Sequence, residues 1–147
     1  MSPTILLSAP PPITAENVGT VTAVRGSVVD ARFPSRPPPL RQRLLAGRRL
    51  EIVLEVNEHL GADTVRNIAL TATQGLARGE PVWDSGTSLT MPVGPVLLGR
   101  MVNVFGATID DGPPLVEVER RAIHRPPPPL RQQQIGRERF ETGIKVI

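Results

Sequence analysis

The stretch from Leu50 to Leu70, LEIVLEVNEHLGADTVRNIAL, limits what this chain can fold into more than any other part of it. Ile52, Leu54 and Val56 alternate with Glu51, Val53 and Glu55, which is the two-residue period of a strand with one buried face. Gly61-Ala62-Asp63 follows, where glycine accepts positive φ and aspartate bonds its own backbone, and then Thr64 to Thr71 carries Val65, Ile68, Ala69 and Leu70. The pattern predicts a β-hairpin. Neither run is apolar enough to be buried on both faces, so an antiparallel sheet or barrel with one wet side is expected.

A second hairpin is expected upstream. Val18 to Val24 is rich in Val and Thr, Arg25-Gly26 fits a tight turn, and Ser27 to Phe33 alternates Val29, Ala31 and Phe33 against Val28, Asp30 and Arg32. Pro34 to Pro39 includes four prolines and cannot join a ladder, so it reads as a stiff connector, and Leu40 to Ala46 as at most a short helical turn closed by Gly47. Gly75 to Gly79 reads as a loop and Pro81 to Asp84 as a short strand. Turn signals recur every ~8–12 positions, which predicts a small closed barrel of roughly five or six strands by Asp84.

The remainder has a different texture. Leu97, Leu98, Met101, Val102 and Phe105 fall at helical spacing between Pro95 and Gly106, so one short amphipathic helix is predicted there. Asp110-Asp111-Gly112-Pro113-Pro114 is a turn cluster, Leu115 to Ile123 a candidate strand, and Pro126 to Pro129 an extended crossing. From Asp84 onward there are too few elements to enclose a core, so residues 84–147 are expected to be the incomplete start of a second domain. Residues 1–16, with Pro10-Pro11-Pro12, read as an extended lead.

Composition narrows the function classes. The 17 Pro and 13 Gly among 147 residues argue against long helices. There is no Cys, so disulfides and thiolate metal sites are excluded. The net charge is only +3, yet two segments, Asp30 to Leu50 and Arg120 to Arg139, are densely basic in arginine. Ile5-Leu6-Leu7 has no basic residue before it, which speaks against a secretory signal, and the run Met91 to Leu98 is broken by Pro92, Gly94 and Pro95, far short of the ~20 residues of a bilayer span.

Single residues favour structural over chemical roles. His59 and His124 have no companion at ligand spacing, so ordinary hydrogen-bonded histidines are expected. Asp110-Asp111 beside Gly-Pro-Pro reads as turn chemistry, not a magnesium site, and Glu51 and Glu55 as solvated or arginine-paired. The runs Pro37-Pro38-Pro39-Leu40-Arg41 and Pro126 to Arg131 match ligands for aromatic grooves only superficially. With no Tyr and four aromatics, Phe33, Trp83, Phe105 and Phe140, there is little on which bases could stack.

Several strings together resemble the beta subunit family of F-type and related rotary ATP synthases: GTVTAVRGSVVDARF (Gly19 to Phe33), LEVNEHLGADTVRNIAL (Leu54 to Leu70), TQGLARGEPVWDSG (Thr73 to Gly86), MPVGPVLLGRMVNVFGATIDDGPP (Met91 to Pro114), AIHRPPPP (Ala122 to Pro129) and ETGIKVI (Glu141 to Ile147). His59-Leu60-Gly61 and Gly75 to Gly79 resemble the catalytic-type subunit more than its alpha partner. Ser27, the loop Ser35 to Pro39, Thr87 to Thr90 and Ala107-Thr108 depart from the pattern. The resemblance implies a mainly β fold: a six-stranded crown barrel over Asn17 to Trp83, then the start of an α/β nucleotide-binding domain.

It implies a role in a complex that couples ATP synthesis or hydrolysis to proton or sodium flow. Partners would be alpha subunits in an alternating ring and other subunits of the rotary complex, with no nucleic acid and no direct membrane insertion, peripheral to the cytoplasmic side of a bacterial plasma membrane. Full-length relatives of that kind use Mg-ATP and ADP, but the sequence has no glycine-rich loop ending in Gly-Lys-Ser or Gly-Lys-Thr; its one Lys, Lys145, is followed by Val146. The expected assignment is therefore no catalytic, nucleotide-binding or metal residue and no cofactor in this chain, which is read as stopping before the phosphate-binding loop. The competing reading is an independent small-barrel module with basic, Pro-rich arms for nucleic acid or a Pro-recognising domain.

Overall fold

A computed structural model describes residues 17–133. The hairpin that dominates the sequence is present, as β4 (Ile52–His59) and β5 (Thr64–Ala69), with Leu54 opposite Ala69 and Val56 opposite Asn67. Its inward residues Ile52, Leu54 and Val56 are almost wholly removed from water. The upstream hairpin is β1 (Val18–Arg25) and β2 (Val28–Arg32) around Gly26, whose φ of 59° suits the turn. With β3 (Gln42–Ala46) and β6 (Pro81–Ser88), these strands close an antiparallel barrel in the order β1-β2-β5-β4-β3-β6. Closure leaves the barrel without a free edge.

The interior is filled by side chains, as a barrel this narrow requires. Val21, Val29, Ala31, Phe33, Leu44, Ala46, Ile52, Leu54, Val56, Val65 and Val82 form one cluster, and Leu76, from the loop before β6, plugs one end. Phe33 is fully buried and lies against Gly19. A Cβ at Gly19 would stand 2.8 Å from the ring and 2.7 Å from the Arg32 carbonyl oxygen, so only glycine fits. Asn67 is the one fully buried polar side chain of β5, and its Nδ2 donates to the Val29 carbonyl at 2.9 Å.

The seam between β1 and β6 is short. It has three register pairs, Val18 with Trp83, Gly19 with Val82 and Thr20 with Pro81. Loop backbone lengthens it: Val21 N–H donates to Glu80 O and Gly79 N–H to Val21 O, both at 2.8 Å.

Several sequence expectations are corrected. The segment read as a helical turn, Leu40 to Ala46, is mostly strand β3. Leu44 and Ala46 face the core while Leu45 joins a second buried cluster outside the barrel, so no alternation is visible. The short strand at Pro81 to Asp84 continues to Ser88, which pairs with Gln42, so the sheet runs on past Trp83. The helix expected over Leu97 to Phe105 is absent: one 3-10 turn, Pro95–Leu97, is followed by a chain reversal in which Val102 bridges Thr108. Glycines at positive φ, Gly94, Gly99 and Gly106, punctuate the segment, and Asn103 Oδ1 accepts from the N–H groups of Phe105 and Ala107.

The wet outer side is also only partly wet. Leu45, Val53 and Leu89 are buried together, with Leu50 and Phe105 packed on them, so the chain after β6 covers the outer wall of β3 and β4. That chain holds β7 (Thr90–Pro92) against β8 (Arg120–Ala122), the only part of Leu115 to Ile123 that is strand.

Candidate assembly surface

The outer wall of β1, β2 and β5 is built around one carboxylate. Asp30 alternates with the core residues Val29 and Ala31 and so points outward, but its side chain is only 8% exposed because two arginines cover it. Arg66 on β5 donates through Nε to Oδ1 at 2.9 Å and through Nη2 to Oδ2 at 3.1 Å, and Arg25 on β1 donates to Oδ2 from the other side. The Arg66 hydrogen bonds, reinforced by the charges of both arginines, hold the Asp30 carboxyl below its ordinary value against the opposing effect of burial. On the same wall Arg32 pairs with Asp63 at 2.6 Å, and Ile68, 41% exposed, lies opposite Val28.

A polar network closes the end of the barrel where the chain leaves. Asp84, buried, accepts from Gln42 Nε2 at 2.7 Å, from the Gly86 N–H at 2.9 Å and from Asn17 Nδ2 at 3.1 Å. It thereby ties the start of β1 to β3 and β6. At the opposite end an open cleft is lined by Arg48, Arg49, Glu51, Gln74 and Glu80. Its carboxylates are engaged by backbone, Glu51 by the Arg49 N–H at 2.8 Å and Glu80 by the Ala77 N–H at 3.3 Å.

The residues weighed in the sequence find structural partners. His59 Nε2 lies 2.7 Å from the Pro38 carbonyl oxygen. His124 Nε2 lies 3.3 Å from both oxygens of Glu55, a contact between the chain after β8 and the barrel wall, so Glu55 is engaged by a histidine where solvent or an arginine was expected. Asp110 makes the turn expected of it, accepting from the Gly112 N–H at 3.2 Å, but it also forms a two-point ion pair with Arg100 at 2.6 and 3.0 Å. The Arg100 hydrogen bonds hold the Asp110 carboxyl well below the usual carboxylate range. Leu98 and Met101 are exposed, 81% and 62%, not packed in a helix. Lys145, with the ETGIKVI string, lies outside the described residues. Sequence reasoning missed the Asp30–Arg66 and Arg100–Asp110 pairs because register and turn geometry, not spacing, bring them together.

Among the described residues no group of three His, Asp or Glu side chains converges as a metal ligand set, and no helix is long and apolar enough to cross a membrane. What the geometry offers is a rigid barrel with a charged, partly apolar outer wall. A family model described as "ATP synthase alpha/beta family, beta-barrel domain" matches residues 21–86, most of the stretch from Val18 to Ser88 that holds the six barrel strands.

The chain belongs to the ATP synthase alpha/beta family.

Curated relatives of this family align along most of its length. It is 52% identical over 142 residues to ATP synthase subunit beta 1 of Psychromonas ingrahamii, covering 97% of this chain and 29% of that protein. It is 50% identical over 130 residues to ATP synthase subunit beta 2 of Nitrosospira multiformis, covering 88% of this chain and 28% of that one. With ATP synthase subunit beta 2 of Albidiferax ferrireducens the identity is 53% over 131 residues, covering 89% and 25%. The chain thus spans between a quarter and a third of the length of these relatives.

Proposed function

We propose that this chain supplies the crown barrel, and the opening layer of the nucleotide-binding domain, of an F-type ATP synthase beta subunit. In this reading the barrel begins at Asn17, its last strand carries it past Trp83, and the nucleotide-binding domain begins there; the lead read over residues 1–16 and the end of that domain over 134–147 lie outside the described residues. Its work is assembly: the barrel wall packs against alternating alpha subunits and forms a fixed hoop in a complex that couples ATP chemistry to proton or sodium movement at the cytoplasmic face of a bacterial membrane. The observation that carries the reading is the coincidence of a closed six-stranded barrel with ~50% identity to proteins named ATP synthase subunit beta.

The chemistry of the sequence sets the limit of this role. A phosphate-binding loop needs backbone donors of clustered glycines, then Lys and Ser or Thr, and no such string occurs in these 147 residues. No residue here is assigned to catalysis, nucleotide or metal. Co-expression with an alpha-type subunit followed by size-exclusion chromatography tests the proposal. A stable co-eluting complex is expected, together with no heat of Mg-ATP binding when the chain is titrated alone. Failure to co-elute at micromolar concentrations, or tight Mg-ATP binding by the chain, would overturn it.

A further inference from the structure

Arg43, near the start of β3, is half-buried on the outside of the barrel, and its guanidinium reaches only hydroxyl groups. Nε lies 3.4 Å from Ser85 Oγ and Nη2 lies 3.4 Å from Thr87 Oγ1. Those are long contacts, so most of the five N–H donors of the fork remain uncommitted. Among the described residues no carboxylate stands within 4.0 Å of it. The nearest candidate in register is Glu55, directly across on β4, yet both Glu55 oxygens are turned to His124.

The neighbouring charge has the same sign. Arg120 on β8 lies near enough to disfavour the charge on Arg43, and burial acts in the same direction more strongly. Arg120 itself is bonded to neutral acceptors, Thr90 Oγ1 at 3.2 Å, Thr90 O at 3.0 Å and Phe105 O at 2.8 Å. A guanidinium held partly out of water beside a second one, with neither neutralised, is a receptor for an anion. The rim is open, since Gly86 and Thr87 are both exposed.

We propose that Arg43, with Arg120 behind it, receives a carboxylate side chain from the adjacent subunit of the assembled ring. The inference rests on the assembly reading above. Charge complementarity selects the occupant: the site presents guanidinium donors with the exposed Thr87 hydroxyl beside them, and a planar fork matches a carboxylate with two parallel hydrogen bonds.

The test measures the dissociation constant between the full chain and an alpha-type subunit for wild type, Arg43→Gln and Arg43→Lys, at low and high salt. Removing one partner of a desolvated charge pair weakens binding by at least about tenfold, so Arg43→Gln is expected to bind at least that much less tightly and to lose part of the salt dependence. Arg43→Lys, which keeps the charge but not the fork, should fall between the two. Equal dissociation constants for wild type and Arg43→Gln overturn the role of Arg43 and leave ring assembly standing. If Arg43→Gln melts at a lowered temperature, Arg43→Lys decides, and wild-type affinity in that variant overturns the inference. A wild-type chain that binds no alpha-type subunit overturns both readings.

Discussion

Arg66 grips Asp30 across the β2–β5 pairing with two hydrogen bonds, 2.9 and 3.1 Å long, and hides the carboxylate from water on the outside of the barrel. The folded-state value of Asp30 is depressed below 3.8. The stability it contributes is therefore present above that ordinary value and is lost as pH falls through the folded one. Asp30→Asn should lower stability at pH 7 by about 1.5–3 kcal/mol, the scale of lost hydrogen bonds to a charged group. Urea denaturation at pH 7 and at about pH 3 checks it: the gap between wild type and variant should narrow in acid, and a constant gap contradicts the assignment.

Gly19 and Phe33 share a space with no room for a methyl group. Gly19→Ala places a Cβ under 3 Å from the ring and from the Arg32 carbonyl oxygen, so overpacking should destabilise the barrel by about 1–3 kcal/mol. A melting temperature lower by several degrees is expected. Adding Phe33→Leu should recover part of the loss, because the smaller side chain vacates the contact; a double variant no better than the sum of its parts argues against it.

Leu54 and Leu89 belong to different buried clusters, inside and outside the barrel wall. Leu54→Ala should cost about 2–5 kcal/mol and weaken all six strands together. Leu89→Ala should instead speed amide hydrogen exchange in β7 and β8 while the barrel amides keep their protection. Uniform acceleration throughout the molecule in Leu89→Ala would show that the two clusters unfold as one.

The loop from Arg100 to Pro113 hangs on one carboxylate. Asp110 accepts from Arg100 and from the Met101 and Gly112 N–H groups, and the depressed carboxyl keeps this arrangement in acid. Carbon-detected NMR titration should find Asp110 still ionised at about pH 3, and Arg100→Gln should raise its midpoint toward the ordinary carboxylate value. An Asp110 midpoint unmoved by that substitution would assign the effect to the backbone donors alone.

Legibility in the sequence followed burial. The hairpins β1–β2 and β4–β5 were readable because, over most of their length, one face is apolar and the other polar. Strand β3 was not, since Leu44 and Ala46 are buried inward and Leu45 outward, which erases the period-2 signal. Leu97, Leu98, Met101, Val102 and Phe105 have helical spacing by coincidence; the flanking glycines and the Asn103 side chain turn the backbone before a second turn of helix can form. The candidate assembly site was the least readable part. Asp30 with Arg66, and Glu55 with His124, are 36 and 69 positions apart, and only the barrel register and the covering segment bring them together.

The short seam between β1 and β6 carries a consequence for synthesis. Val18 cannot find Trp83 until nearly the whole barrel has emerged from the ribosome, so five strands must wait with two raw margins for the sixth. The hoop has a late clasp, and a chain stalled before Ser88 would offer those margins to any passing strand.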